Sequence, residues 1–286
     1  MDLIVANGRY LSVVGSTIDA IGKQGRPTTM PEKYHLNRVA RDNSERYHIT
    51  FVHPGELKAH LADKGIPKKK QHHKHIRSMV DEVIATFGEP STWEKPLDLG
   101  LGLLEQQEDE KDRQQQPDKK QKKDKGKKKR LGADQGDTSK DDVTVTAPPA
   151  AAVTATPAAA VTATPVPATT ATPVSTTRHY VSYFRVIHWP FGQKIRAHLG
   201  LPPTSFHITV GFDPKDVHHS PKGPDTILLA PSLKQDPDLL ARWVSSAVHY
   251  PKESLFLQRL SHHLIKVDLG HLAEPWQHHL KTTESP

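Results

Sequence analysis

The chain has 286 residues, a formal net charge of +7 and no cysteine, which excludes disulfides, thiolate catalysis and zinc sites built on cysteine. Its hydrophobic fraction of 35 % and its 24 prolines predict that part of the chain lies outside any packed core. Residues 111–130 hold eleven Lys or Arg and three Asp, a local charge of +8 that leaves about −1 for the rest. A basic nucleic-acid-binding fold is therefore not indicated.

The first part of the chain, residues 1–104, mixes strand and helix patterns and is predicted to be an amino-terminal lobe. Alternating and β-branched residues indicate strands, whereas apolar residues three and four apart indicate helices. The predicted elements are, in order, strands over 9–18, 33–40 and 46–52, helices over 56–65 and 70–88, and a strand over 96–104.

The middle of the chain, residues 105–177, has a different composition. It begins with charged and Gln-rich sequence and continues as an Ala/Thr/Pro tract in which the octamer AAAVTATP occurs at 150–157 and again at 158–165. Neither part has an apolar periodicity that could cover a core. This segment is predicted to be a disordered insert, whose length adds little closure entropy to the fold.

The last part, residues 178–286, repeats the mixed pattern and is predicted to be a carboxy-terminal lobe. Its predicted elements are a strand over 179–189, a helix over 191–203, strands over 205–212 and 225–230, a helix over 237–250 and a final strand over 263–270. The two parts together predict an α+β protein with two lobes of similar plan. No run of roughly 18 apolar residues occurs, so we expect no membrane span. With no secretory signal pattern, the expectation is a soluble monomer of the cytoplasm or nucleus.

Each lobe contains one His-Ile-Thr strand, YHITF at 47–51 and FHITV at 206–210. The bare tripeptide is weak evidence, because 19 His and 23 Thr would give about 1.5 His-x-Thr matches by chance. The context is more specific, since both copies follow an aromatic residue and precede an apolar one. Side chains alternate along a strand, so His48 and Thr50 share one face and His207 and Thr209 share another, each opposite an apolar face.

Two such polar faces across a cleft would supply two imidazoles and two hydroxyls. One neutral His can take a proton from water, and a second, protonated His can protonate the leaving oxygen. Threonine hydroxyls can donate to phosphate oxygens, where negative charge builds up. The pattern therefore indicates cleavage of a phosphodiester that needs neither metal nor cofactor. Which His is the acid and which the base is open at this stage.

The paired motifs resemble those of the 2H phosphoesterase superfamily. Residues 188–212 are most similar to its Swiss Army Knife branch, which is associated with RNA repair and is common in fungi, and residues 47–57 resemble the corresponding first motif. The resemblance implies a bilobal, duplicated fold with two antiparallel sheets flanked by helices and a central cleft. It also implies hydrolysis of 2′,3′-cyclic phosphates or related cyclic phosphodiesters without metal, with His48 and His207 as catalytic pair and Thr50 and Thr209 as phosphate ligands.

Several other features leave alternatives open. The basic run Lys119–Arg130 is a candidate contact for nucleic acid or protein, or a nuclear address, but also reads as a solvated tract. The QHHKH segment at 71–75 lacks a carboxylate partner and is interpreted as solvated helix rather than a metal site. Besides an enzyme acting on an RNA end or a small cyclic phosphodiester, the sequence allows a binding module for RNA ends or nucleotides, or a scaffold acting through the insert.

Overall fold

The computed structural model describes residues 1–6, 10–66, 69–108, 178–218, 220–228 and 236–281. The predicted disordered insert lies outside the described residues, apart from its first four positions. These four continue the strand that precedes them.

The first sheet contains three antiparallel strands in the order β1 (Asp2–Ala6), β2 (Tyr10–Val14), β3 (Ile49–Val52). The second sheet is also antiparallel, in the order β4 (Leu97–Glu108), β5 (Arg178–His188), β6 (His207–Asp213). These sheets and their helices confirm the bilobal α+β fold.

Eight α-helices occur in the described part of the chain. They are α1 (Ser16–Gln24), α2 (Glu32–Asp42), α3 (Pro54–Asp63), α4 (Lys69–Phe87), α5 (Pro190–His198), α6 (Pro237–Ala247), α7 (Ser254–Lys266) and α8 (Glu274–Lys281). Short 3₁₀ turns occur at Pro90–Thr92, Pro224–Thr226 and Gly270–Ala273. Helix α3 begins at Pro54, directly after β3, because His53 and Glu56 form a capping box at its amino terminus.

The strand alternation places one apolar face of each sheet in a shared core. Ile49 and Phe51 of β3 pack in the same cluster as Phe206 and Ile208. The Phe51 and Phe206 rings are stacked, with centroids 6.0 Å apart and planes 9° from parallel. The two HIT strands are therefore joined through their apolar sides, as the alternation of side chains predicts.

A second core lies under the other face of the second sheet. It is built by Phe184 and Val186 of β5 together with residues of β4, α6 and α7, including Trp243 and Leu260. Helices α6–α8 thus cover the second sheet. Within the described chain, no helix is long and apolar enough to cross a membrane.

Four predicted strands are wrong or shortened. The strand predicted over 9–18 ends at Val14, because helix α1 begins at Ser16. Residues 33–40 lie in helix α2, whose buried face is built on Arg38 rather than on aliphatic side chains, so no apolar stripe marks it. Residues 263–266 continue α7, where Leu260 and Leu264 have helical spacing in the core. Of the strand predicted at 225–230, the described residues contain a 3₁₀ turn and one bridge between Ile227 and Gly102.

The sheets do not follow the predicted division into residues 1–104 and 178–286. Strand β4 pairs with β5 along its whole length, from Leu97 opposite His188 to Glu108 opposite Arg178. The boundary between the two sheets therefore lies before β4. As units of folding, the two segments remain a prediction.

Candidate active site

The first HIT motif lies on the polar face of the first sheet. Thr50 of β3 is directly opposite Ser12 of β2, so these two side chains share a face with His48. The His48 side chain is 19 % exposed, and its Nδ1 lies 3.8 Å from an Asp42 carboxylate oxygen. The Tyr10 ring lies beside it, with ring centroids 6.3 Å apart. This face therefore presents an imidazole next to a carboxylate and a phenol.

The second HIT motif lies on the corresponding face of β6. His207 and Thr209 are opposite Val186 and Phe184 of β5, and the rings of His207 and Phe184 are 5.9 Å apart. His207 Nδ1 lies 3.1 Å from the Ser205 carbonyl oxygen. Because a carbonyl only accepts, Nδ1 carries the proton and Nε2 of the neutral ring holds a free lone pair.

A buried carboxylate, Asp216, lies beside the second motif. Its Oδ1 accepts hydrogen bonds from Lys222 Nζ at 2.6 Å and Ser182 Oγ at 2.5 Å. Its Oδ2 accepts from Arg41 Nη1 and, at 3.4 Å, from Thr209 Oγ1. Burial opposes ionisation of Asp216, but the charges of Lys222 and Arg41 outweigh it and hold its pKa well below the usual range.

The two motifs converge on this charged group. Burial lowers the pKa of His48, which also responds to Arg41 and Asp216. Burial and the Lys222 charge lower the pKa of His207 to about 3, and His207 likewise responds to Arg41 and Asp216. The contacts show the same link: Asp42, beside His48, accepts from Arg41, and Arg41 also donates to Asp216, which accepts from Thr209 of the second motif.

Helix α2 carries the charges that link the two motifs. Arg38 donates to the carbonyls of the turn before His48, at residues 44–46. One turn further along α2, Arg41 reaches Asp216 of the second half of the chain. Asp42 is the carboxylate beside His48. One helix therefore positions the first motif and contacts the second.

A family model described as "Swiss Army Knife, 2H phosphoesterase domain" matches residues 9–116 and 110–218. One HIT motif lies in each matched range, and together the ranges cover more than half of the chain. The chain belongs to the 2H phosphoesterase superfamily, in its Swiss Army Knife branch. Searches among curated proteins and among solved structures found no match.

Sequence reasoning missed several charged residues of this 2H phosphoesterase domain. Arg41 and Asp42 were not identified because the sequence of their helix predicts a strand. Asp216 and Lys222 lie in the irregular segment after β6. Their only sequence signal is position, since a loop that directly follows a candidate catalytic strand is where functional residues concentrate. Nearby His218, whose Nε2 lies 3.8 Å from Asp216, is mostly exposed.

The structure gives Arg196 a structural position in this 2H phosphoesterase. Its guanidinium is buried and donates to the Phe51 and Pro202 carbonyls and to Glu56, which joins α5 to β3 and α3. In the described ranges, no group of three or more His, Asp or Glu is placed to hold a metal ion.

Proposed function

We propose that the protein hydrolyses a 2′,3′-cyclic phosphate or a related cyclic phosphodiester at RNA ends, by His acid–base catalysis without a metal. The observation that carries this proposal is the chain of contacts that joins the two HIT motifs, from His48 through Asp42 and Arg41 to Asp216 and Thr209. We infer that a single phosphate bound at this cluster contacts both imidazoles. Membership in a phosphoesterase family supports the same chemistry.

His207 is the general base in this proposal. The hydrogen bond from its Nδ1 to the Ser205 carbonyl leaves Nε2 as the acceptor, which is the form that takes a proton from water. Burial and the Lys222 charge lower its pKa to about 3, so the ring is neutral at physiological pH and is unsuited to donate a proton.

His48 is the general acid. The Asp42 carboxylate lies 3.8 Å from its Nδ1 and favours the protonated ring, although burial lowers the pKa of His48 in the free protein. A bound phosphate adds a second negative charge next to the ring and raises its pKa again. The substrate therefore helps to protonate its own acid.

The reaction balances with these two groups. His207 takes a proton from a water molecule whose oxygen attacks phosphorus, and the bond from phosphorus to one ribose oxygen breaks. That oxygen takes the proton of His48, which gives a phosphate monoester and a free hydroxyl. The products leave His207 protonated and His48 neutral, and exchange with solvent restores both.

The two threonines have different roles in the proposal. Thr50 lies half-exposed on the polar face of the first sheet, where its hydroxyl can donate to a phosphate oxygen. Thr209 is buried and donates to Asp216 at 3.4 Å. A hydroxyl has one proton, so Thr209 must leave Asp216 before it can donate to phosphate.

The RNA end is favoured over a small cyclic nucleotide by the basic run Lys119–Arg130, which lies outside the described residues. Lysine-rich segments bind polynucleotide phosphates regardless of sequence. We therefore expect a cyclic-phosphate-ended oligonucleotide to have a lower KM than the matching 2′,3′-cyclic mononucleotide. Removing residues 111–130 should bring the two KM values together without changing kcat.

The test is hydrolysis of a cyclic-phosphate-ended oligonucleotide in the presence of a chelator. Wild-type protein should turn it over, and His48→Ala and His207→Ala should each lose about 10²- to 10⁴-fold in kcat. His73→Ala, which removes an exposed imidazole of α4, is the matched control and should be fully active. Full activity of either HIT variant, or none of the wild type, would refute the proposal. Chromatography of the 2′- and 3′-phosphate products identifies the broken bond.

A further inference from the structure

The charged groups around the two HIT strands do not balance. Three cations and two carboxylates meet there: Arg38, Arg41 and Lys222 with Asp42 and Asp216. Four of these side chains are at most 9 % exposed, and that of Arg41 is 30 % exposed. Among the described residues, the one further carboxylate within 4.0 Å of these cations is Glu45, which is 76 % exposed and 4.0 Å from Arg38, so water screens it. Within the described part of the chain the cluster keeps a net charge of about +1, which a monoanionic ligand would neutralise.

Lys222 is the least satisfied of the three cations. An ammonium has three donors, and among the described residues Asp216 is its one hydrogen-bond acceptor. Its side chain is only 2 % exposed, so water does not readily supply the rest. Nζ also lies over the Phe184 ring, with the centroid at 5.2 Å. A buried ammonium with spare donors is suited to bind an oxygen anion.

The position of Lys222 connects it with the second HIT motif. The Phe184 ring contacts both the Lys222 ammonium and the His207 ring. Asp216 bonds both Lys222 and Thr209. Phe184 and Asp216 are therefore neighbours shared by Lys222 and the two polar side chains of the HIT strand, which places the ammonium at the second motif.

We propose that Lys222 binds a non-bridging oxygen of the substrate's phosphate, and that Asp216 holds the ammonium in place for this contact. The inference deepens the proposed function and rests on it for the identity of the substrate. No bond is made or broken at Lys222. Its charge stabilises the extra negative charge that the phosphoryl oxygens carry when water attacks.

The first measurement is binding of inorganic phosphate to the full-length protein by calorimetry at pH 7. Lys222→Gln can still donate to Asp216 but has no charge, and it should bind phosphate about 10- to 100-fold more weakly than wild type. Lys215→Gln removes an exposed lysine of the same loop and should bind within about twofold of wild type. If circular dichroism shows that Lys222→Gln is unfolded, Lys222→Met is used in its place and should show the same loss of phosphate affinity.

The second measurement separates phosphate binding from a structural role. Asp216→Asn raises the net charge of the cluster and keeps an acceptor for Lys222, so it should bind phosphate more tightly than wild type. If Lys222 only supported the fold, both substitutions would weaken phosphate binding to the same extent. That result overturns the inference, as does a folded Lys222→Gln with wild-type affinity.

The two proposals fail separately, because phosphate binding is measured without turnover. If the wild type does not hydrolyse cyclic phosphates but Lys222→Gln loses phosphate, the proposed function is wrong and this inference stands. If hydrolysis depends on both histidines but Lys222→Gln keeps wild-type phosphate affinity and kcat, the function stands and this inference is wrong. In the supporting case, the pKa of His207 in Lys222→Gln, followed by NMR, also rises, because a positive charge next to the ring is gone.

Discussion

The two HIT strands have the same three residues but different surroundings. His48 lies 3.8 Å from a carboxylate, Asp42, whereas His207 lies near an ammonium, Lys222, and has its Nδ1 bound to a backbone carbonyl. One threonine is half-exposed and the other is buried against Asp216. A repeated motif therefore does not imply a repeated role, because the neighbouring charges decide which protonation state each imidazole favours.

The largest expected effect is a difference between the two histidine variants on a substrate whose leaving group needs no proton. Toward a nucleoside phosphodiester with p-nitrophenolate as leaving group, His48→Ala should keep kcat within about tenfold of wild type, because this leaving group needs no proton. His207→Ala should still lose about 10²- to 10⁴-fold, since attack by water still needs a base. The measurement is release of p-nitrophenolate. If His207→Ala instead of His48→Ala kept its kcat on this substrate, His207 would be the general acid and His48 the general base.

The next effect compares the carboxylates beside the two motifs. Asp216→Ala leaves Lys222 and Arg41 without their buried partner, and we expect a loss of about 3–5 kcal/mol in the free energy of unfolding. Asp42→Ala should cost less, because Arg38 keeps three carbonyl acceptors and Arg41 keeps Asp216. Urea unfolding of both variants checks this order. Equal losses in the free energy of unfolding would show that the two carboxylates stabilise the fold to the same extent.

The pH dependence of kcat/KM tests the assignment of acid and base. In the proposed mechanism, activity requires neutral His207, with a pKa of about 3, and protonated His48, whose pKa burial lowers from the ordinary value of 6.5. We expect a maximum below pH 6.5 and a fall of about tenfold per pH unit on the alkaline side.

Asp42→Asn sharpens this measurement. Loss of the carboxylate charge lowers the pKa of His48 further, so the alkaline limb should move to lower pH while the acid limb stays in place. If the acid limb moved instead, Asp42 would act on the pKa of the general base, His207. Lys215→Gln, an exposed change of charge, serves as the control.

The smallest effect is on stability. Because folding lowers the pKa of both histidines, the unfolded chain binds more protons below pH 6.5, and stability that is complete above pH 6.5 decreases as the pH falls. Each such His contributes at most about 1.4 kcal/mol per pH unit. His207→Gln should flatten the decline between pH 6.5 and 5 at least as much as His48→Gln, as measured by urea unfolding. Unchanged slopes in both variants would contradict the lowered values.

The local part of the structure could be predicted from the sequence. The alternation in YHITF and FHITV predicts an apolar face on each strand, and Ile49, Phe51, Phe206 and Ile208 do share a core. Helix α4 has regular apolar spacing, and α3 has a short helical pattern before a glycine. These features depend on residues close in sequence, so periodicity alone indicates them.

The long-range part could not be predicted. Helix α2 buries Arg38, whose guanidinium satisfies three carbonyls of the next turn, and a buried face built on arginine leaves no apolar stripe. The contact between Arg41 and Asp216 joins residues 175 apart. The pairing of β4 with β5 also spans the insert. Such contacts depend on the assembled fold, which composition and spacing do not specify.

The pairing of Glu108 with Arg178 has an evolutionary consequence. Glu108 and Arg178 occupy neighbouring positions on two adjacent strands, so residues 109–177 have both attachment points side by side. Each doubling of such a connection adds only about 0.6 kcal/mol of closure cost. Mutation can therefore lengthen, shorten or rewrite this segment without displacing either histidine, and a two-residue turn in its place should give a minimal protein with an unaltered site.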